Sequence, residues 1–463
     1  MGDAAENPAF GELMAIRGGT PPRDVRIEGE DPVLATRFAL GETAAAVMAA
    51  LGVAAADLWE QRTDRRQSVT VDANHAAATL KSYAYMRLAG DPPPDPAATP
   101  ARFGLTSPHP TKDGRFFLPH FGLPHLGERV RAVLGCNEDL DSVRAAIRSW
   151  DALDLENAIA EGRGCGAMVR SNAEWLTHPH GRALAGKPVV EITRIADSDP
   201  EPMPAGDRPL AGIRALDVTR ILAGPTCART LAEHGADVLM VTAPHLPQAD
   251  RFVMDTGHGK RTCYLDFNDP AQLETLHGLV RDADVFSQGY RPGVLAARGL
   301  SPEALAEMRP GIVYTSMNCY GYDGPFRERA GWEQLAQTVT GIAEEHGVPD
   351  PALLPAAACD YTTGYLAAFG TLVALARRAV EGGSWHVRAS LCQSGMFLCR
   401  QRRVDFEKGA DVPQAKIDEI AVTSETPYGQ MQHLGPILRL SETQPRWDLP
   451  TSPLGTHDPV WLT

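Results

Sequence analysis

The sequence predicts an α/β protein in which an open parallel sheet carries helices on both faces and a smaller α+β domain is attached. Three observations predict it. Short apolar runs alternate with amphipathic helical stretches from residue 212 onward, the pattern of parallel strands joined by crossovers. Two proline-rich stretches mark boundaries, GDPPPDPAATPAR (90–102) within the N-terminal half and IADSDPEPMPAGDRP (195–209) just before that region, because proline fixes φ and removes a backbone donor. The composition, 43% hydrophobic and 22% charged over 463 residues, is that of a globular chain.

Taken in order, residues 1–30 are rich in Gly, Pro and charge without periodicity and predict an N-terminal arm. Residues 31–95 hold the Ala-rich run FALGETAAAVMAALGVAAADLWEQR (38–62), a helix, and the alternating QSVTVDA (67–73), a strand. Residues 96–200 predict the small α+β domain. It has a strand pair around KDGRFFL (112–118) and helices near 125–134, 140–149 and 171–186. The α/β domain spans 207–400. Its strands are GIRALDV (212–218), ADVLMVT (236–242), RTCYLDF (261–267), DADVFSQ (282–288) and GIVYTSM (311–317). Among its helices, AGPTCARTLAEHG (223–235) ends at Gly, another opens with Asn268 or Asp269 before Pro270, and a third opens with Ser301 before Pro302. Residues 401–463 form a tail expected to pack back on the large domain.

An internal echo is present as well. A glycine, an Ala/Leu helix, a charged turn and a strand recur at Gly41 to Ala73 and at Gly364 to Ser390. This reads either as a degenerate repeat or as the common composition of two Ala-rich helices. Four residues before the glycines stand Arg37 and Asp360.

Charge and motifs exclude several classes. A net charge of −14 argues against nucleic acid as partner. The 8 cysteines are scattered without CxxC or metal spacing, so they read as structural thiols in a reducing compartment, with no metal site. The start MGDAAENPAFGELMAIRGG is acidic and lacks an apolar core, and no stretch is expected to reach the apolar length of a bilayer span; a cytoplasmic location follows. The first βα turn, DVTRILAGPTCA, has one glycine, Gly224, and the next strand ends in Thr242-Ala243-Pro244 without a ribose-binding acid. A dinucleotide site is therefore not expected. G-x-x-x-x-G-K-[ST], G-x-S-x-G and H-E-x-x-H are all absent.

Basic residues on glycine-rich loops remain. GHGKRT (257–262) places Lys260 and Arg261 beside two glycines, YRPGV (290–294) carries Arg291, and Arg251 follows the second strand. Only six basic residues are lysines, at 81, 112, 187, 260, 408 and 416, which gives Lys260 added weight. The set fits a small polyphosphate ligand, or else solvated surface charge. Asp360 begins an apolar helix, where the macrodipole and free amides favour an ionised carboxylate suited to nucleophilic acyl chemistry. The alternative is a simple N-cap bonded to the amides of Thr362 or Thr363.

These blocks in order, PLAGIRALDVTRILAGPTCARTLAEHGADVLMV, GHGKRTCYLDFNDP, DADVFSQGYRPGVLAARGLSPEALAEMRPGIVYTSMNCYGYDGP and CDYTTGYLAAFGTLVAL, resemble the class III coenzyme A transferases from about 209 to 392. That family includes formyl-CoA and carnitine CoA-transferases, bile-acid-inducible protein F and the α-methylacyl-CoA racemases. The resemblance implies a Rossmann-like sheet, Asp360 as nucleophile, and CoA contacts from Leu222, Ala223, Gly224, Pro225, Lys260, Arg261 and Arg291. It implies that Gly321 and Gly324 leave room beside the thioester. It further implies coenzyme A as substrate with no permanently bound cofactor, an acyl-CoA and a small carboxylic acid as partners, and an interlocked homodimer. Racemase members carry a His after the G-P of the glycine loop, where RAGWEQLAQ has Trp332, so the resemblance favours a transferase over a racemase; retention of Asp360 speaks against an inactive CoA-binding module. KDGRFFL and CGAMVRSNAEWLTHPHGRALAGKPVVEI (165–192) look like the family's small domain and return segment, which here lie upstream. The chain reads as a rearranged or partly duplicated form of the family, with one catalytic α/β unit on the C-terminal side, and Arg37 in place of Asp is expected to silence the first copy.

Overall fold

Seven strands form the central sheet, in the spatial order Lys260–Tyr264, Asp237–Thr242, Arg214–Val218, Val285–Gln288, Val313–Asn318, Ser384–Ser390, Glu191–Ala196. All neighbours are parallel except the last pair. The computed structural model describes residues 2–20, 22, 24–91 and 104–462. Alternation along the strands serves two cores. Leu216, Leu239, Phe286 and Tyr314 pack with Leu276, Val280 and Leu305 on one face; Ala215, Val238, Val285 and Val313 pack with Cys227, Leu231, Leu366 and Phe369 on the other. Buried on both faces, such strands need apolar residues at nearly every position, which is why they stand out in the sequence. Asp269 and Ser301 cap the helices Pro270–Arg281 and Pro302–Met308, each bonding an amide of the first turn.

From Arg214–Val218 the chain builds outward to Lys260–Tyr264, then returns to place Val285–Gln288 on the opposite side. This reversal opens a crevice at the carboxyl ends of Arg214–Val218 and Val285–Gln288, where doubly wound sheets bind ligands.

The small unit has an antiparallel sheet of His109–Pro110, Phe116–Pro119 and Gly166–Met168. Helices Pro124–Leu134, Leu140–Ile147 and Ala152–Glu161 cover it around Phe117, Val130, Val143 and Leu155. The expected helix over 171–186 is broken at His178–Pro179 into Asn172–Thr177 and Pro179–Ala185. Glu191–Ala196 then leaves the unit to add the antiparallel edge strand of the large sheet. The expected linker 90–102 lies mostly outside the described residues.

The expected N-terminal arm is instead built into the fold. Asn7 caps the helix Pro8–Arg17, whose Phe10 and Leu13 are buried, and Val25–Glu28 pairs in parallel with Val69–Asp72. Helix Leu40–Thr63 corrects a second expectation. By length and composition it could cross a membrane, yet 89% of its apolar window is buried inside the protein.

The internal echo is a repeat of local structure, in a register five residues from the one the glycines suggest. Leu40–Thr63 and Ala358–Glu381 are both 24 residues long and start 318 positions apart. Adding 318 also carries Gly52 to Gly370 and Val69 to Val387. A Cβ on either glycine would stand 2.6 Å from Cγ1 of its valine, so each helix crosses its following strand at a glycine. The residue opposite Asp360 is therefore Glu42, not Arg37. Glu42 is held by Arg402.

Candidate active site

At the crevice lies a cleft of about 290 Å3. The turn after Arg214–Val218 forms one wall, in which Thr219 donates its N–H to Asp217 at 3.0 Å. Ile221 there holds φ +73°, a left-handed conformation that costs a β-branched residue about 1–3 kcal/mol and is kept only where the surroundings impose it. Met317 and Cys319 line a second wall, Trp332 a third, and Leu123, His125 and Arg129 of the small unit close the mouth.

Asp360 faces this cleft and is 7% exposed. It is the third residue of Ala358–Glu381, whose N-cap Ala357 offers no side-chain bond. The capping is done from elsewhere: Glu333 accepts the N–H of Cys359 at 3.1 Å and of Asp360 at 2.5 Å, and the Gln337 amide at 2.6 Å. Among the described residues the Asp360 carboxyl accepts no hydrogen bond. It does not cap through Thr362 or Thr363. The amides expected to favour its ionised form are taken by Glu333, and the balance reverses. Burial, then the nearby Glu333 charge, push the Asp360 carboxyl well above the usual range, and burial pushes Glu333 up to about 7.

Trp332 is stacked on His120, ring centres 4.7 Å apart. His120 Nδ1 accepts the Gly122 N–H at 3.1 Å, which assigns the proton to Nε2, 3.0 Å from Gln334 Oε1. Burial holds this imidazole neutral, near 4.

Of the residues singled out in the sequence, Leu222, Ala223, Gly224 and Arg291 share the cleft with Asp360. Pro225 is buried in the adjoining helix turn. Arg251 lies outside, donating to the carbonyls of Tyr83 and Met86 at 3.0 and 2.8 Å. Lys260 has a side chain 0% exposed and paired with Asp217 at 2.9 Å, so no face is left for a ligand. Arg261 is bound to Asp237 at 2.9 Å and to the Val460 carbonyl at 2.6 Å. Their strand is the sheet edge, and the tail covers it, the Gly259 N–H reaching Leu449 and the His457 N–H reaching Thr262. Gly321 and Gly324, with φ of +80° and +88°, abut Leu184, Ser390 and His180 instead of the cleft. The sequence had not pointed to Glu333, His120, His125, Arg129 or Arg220.

Asp72, His75 and Glu419 are close enough to hold a metal ion. The Lys416 ammonium already supplies positive charge there, 3.0 Å from Asp72 and 3.1 Å from Glu419.

A family model described as CoA-transferase family III matches residues 1–201 and 210–430. An acyl-CoA transferase of Gibberella moniliformis is 31% identical over 442 residues, 85% of this chain and 76% of that protein. The acetyl-coenzyme A transferase nodX of Hypoxylon pulicicidum is 31% identical over 322 residues, 64% and 54% of the two chains. A formyl-CoA:oxalate CoA-transferase of Afipia carboxidovorans is 33% identical over 218 residues, 44% and 51%. The chain thus spans about half the length of the last two relatives.

Proposed function

The chain belongs to CoA-transferase family III, and from that premise we propose that it moves coenzyme A between an acyl-CoA thioester and a carboxylic acid through Asp360. The observation that carries this reading is a buried carboxyl without a hydrogen-bond partner among the described residues, facing a cleft at the switch point of the sheet. A carboxylate stripped of solvent and amide donors is destabilised when charged, and so is a stronger nucleophile once ionised.

In the first step an Asp360 oxygen attacks the thioester carbonyl, the C–S bond breaks, and CoA leaves as thiolate from a mixed anhydride. The thiolate then attacks the Asp360 carbonyl of that anhydride. The donor acid departs as carboxylate and an aspartyl-CoA thioester remains. The acceptor carboxylate attacks this thioester and expels the thiolate, and the thiolate in turn attacks the acceptor's carbonyl, freeing Asp360. Atoms and charge balance at each step, with coenzyme A entering as substrate and no resident cofactor taking part. Assembly as a homodimer and a cytoplasmic location belong to the same reading; light scattering tests the first.

Incubation with acyl-CoA and then hydroxylamine should convert residue 360 to a hydroxamate, seen as a mass shift on its peptide. An unmodified peptide in protein that is turning over would overturn the proposal.

A further inference from the structure

We propose that Arg129 and Arg163 of the upstream small unit join Arg220 and Arg291 in a seat for an oxyanion that the substrate carries away from its reacting carbonyl. The inference rests on the acyl-CoA reading above. Arg129, Arg220 and Arg291 line the cleft of Asp360. Arg163 and Arg291 line a neighbouring cavity of about 450 Å3, which meets the first at Arg291 and Ala330. Arg291 therefore stands between the two spaces.

None of the four forms an ion pair among the described residues. Arg129 donates to the Arg163 carbonyl at 3.2 Å, Arg220 donates to the Pro247 carbonyl, and the Arg291 guanidinium has no acceptor among the described residues. Glu328, the acid on the wall of the second cavity, pairs with Arg327 at 3.3 Å. On a chain of net charge −14, where most guanidinium groups find a carboxylate, four arginines without one leave positive charge uncompensated. Burial and the charges of Arg163 and Arg129 together disfavour the Arg291 cation, a cost that an incoming anion would relieve. The planar guanidinium fork suits phosphate and carboxylate alike. Arg163 also holds φ +56° between Gly162 and Gly164, a conformation glycine adopts more easily, so an arginine is kept at a turn that does not favour one.

The oxyanion has two chemical sources, a phosphate of the thioester's nucleotide portion or a second carboxylate on the acid. The test is the Arg129→Ala/Arg163→Ala double variant, with Arg129→Lys/Arg163→Lys as charge-preserving control. KM is measured with acyl-CoA, with the acyl thioester of N-acetylcysteamine, which has no phosphate, and with mono- and dicarboxylic acceptors. The seat predicts a KM rise of about tenfold or more for the anion-bearing substrate, with kcat and Tm near wild type and partial retention in the lysine control. A rise with acyl-CoA but not with the cysteamine thioester identifies the phosphate; a rise with dicarboxylic but not monocarboxylic acids identifies the carboxylate. Equal KM changes for substrates with and without the extra anion, or none, overturn the proposal. Should the wild type transfer no CoA, the acyl-CoA reading falls on its own. Calorimetric titration with pyrophosphate and malonate then judges the seat: binding lost in the alanine variant supports it, and binding unchanged overturns it.

Discussion

Glu333 accepts the backbone N–H of Asp360 at 2.5 Å, so the carboxyl on the cleft wall begins a helix that a second buried acid holds in place. Two acids at one helix start cannot both ionise cheaply, and each raises the other's proton affinity. The consequences for chemistry and for stability can be separated by substitution.

Asp360→Asn removes the nucleophile and leaves the Glu333 cap intact. Transfer should vanish, CoA affinity should stay within a few-fold, and Tm should hold or rise as a strained buried acid is lost. A Tm drop matching a lost cap, about 0.5–2 kcal/mol, would show that residue 360 serves the helix.

Glu333→Gln removes the competing charge. The Asp360 proton should come off at lower pH, and the acidic limb of kcat/KM should move down in pH. Stability has the opposite dependence. Both carboxyls are raised in the fold, so the native state binds more protons than the unfolded one as pH climbs from the ordinary carboxylate range to about 7. The pair's contribution to stability is full below that window and is lost across it. Ten histidines held below their usual value titrate in the same window with the opposite sign, so the readout is a difference: the Tm of the wild type minus that of Glu333→Gln should fall across this range. Identical curves would remove the pair from the account.

Lys260→Met strands Asp217 without its partner inside the sheet. Breaking a buried pair costs about 3–5 kcal/mol, so denaturation should shift by that order while KM for acyl-CoA in the folded fraction is unchanged. A specific rise in KM would return Lys260 to the ligand.

Gly52→Ala and Gly370→Ala each push a methyl against a valine of the next strand, and each should destabilise by about 1–3 kcal/mol. Val69→Ala should rescue the first; the second needs Val387→Ala together with Val190→Ala, because a Cβ on Gly370 would also stand 2.8 Å from Val190 Cγ1, and there should be no cross-rescue. Cross-rescue, or silence of one glycine, would sink the equivalence of the two helices.

The sheet was legible in the sequence because its strands are buried on both faces and its helices open with Asp269–Pro270 and Ser301–Pro302, signals that act within a few residues. Asp360 was legible through its block. Glu333 was not, since 27 positions separate it from Asp360 along the chain and only the packing of two helices makes it a cap. Arg129 and His125 reach the cleft from the small unit, a long-range placement that no local pattern encodes. Lys260 misled because glycine neighbours suggest an open loop, while the strand it begins is sealed by the tail. The helix Pro8–Arg17 had its signal in Asn7–Pro8, masked by weak apolar periodicity.

The 318-residue spacing has a consequence for how such a protein can change. In a symmetric pair of identical subunits every substitution is made twice, so any gain at one position is tied to its effect at the mirrored one. Here the two matching helices share a chain but not a sequence. Glu42 can be anchored by an arginine while Asp360 accepts no hydrogen bond among the described residues, and the upstream portion can reshape the mouth of the cleft without disturbing its inner wall.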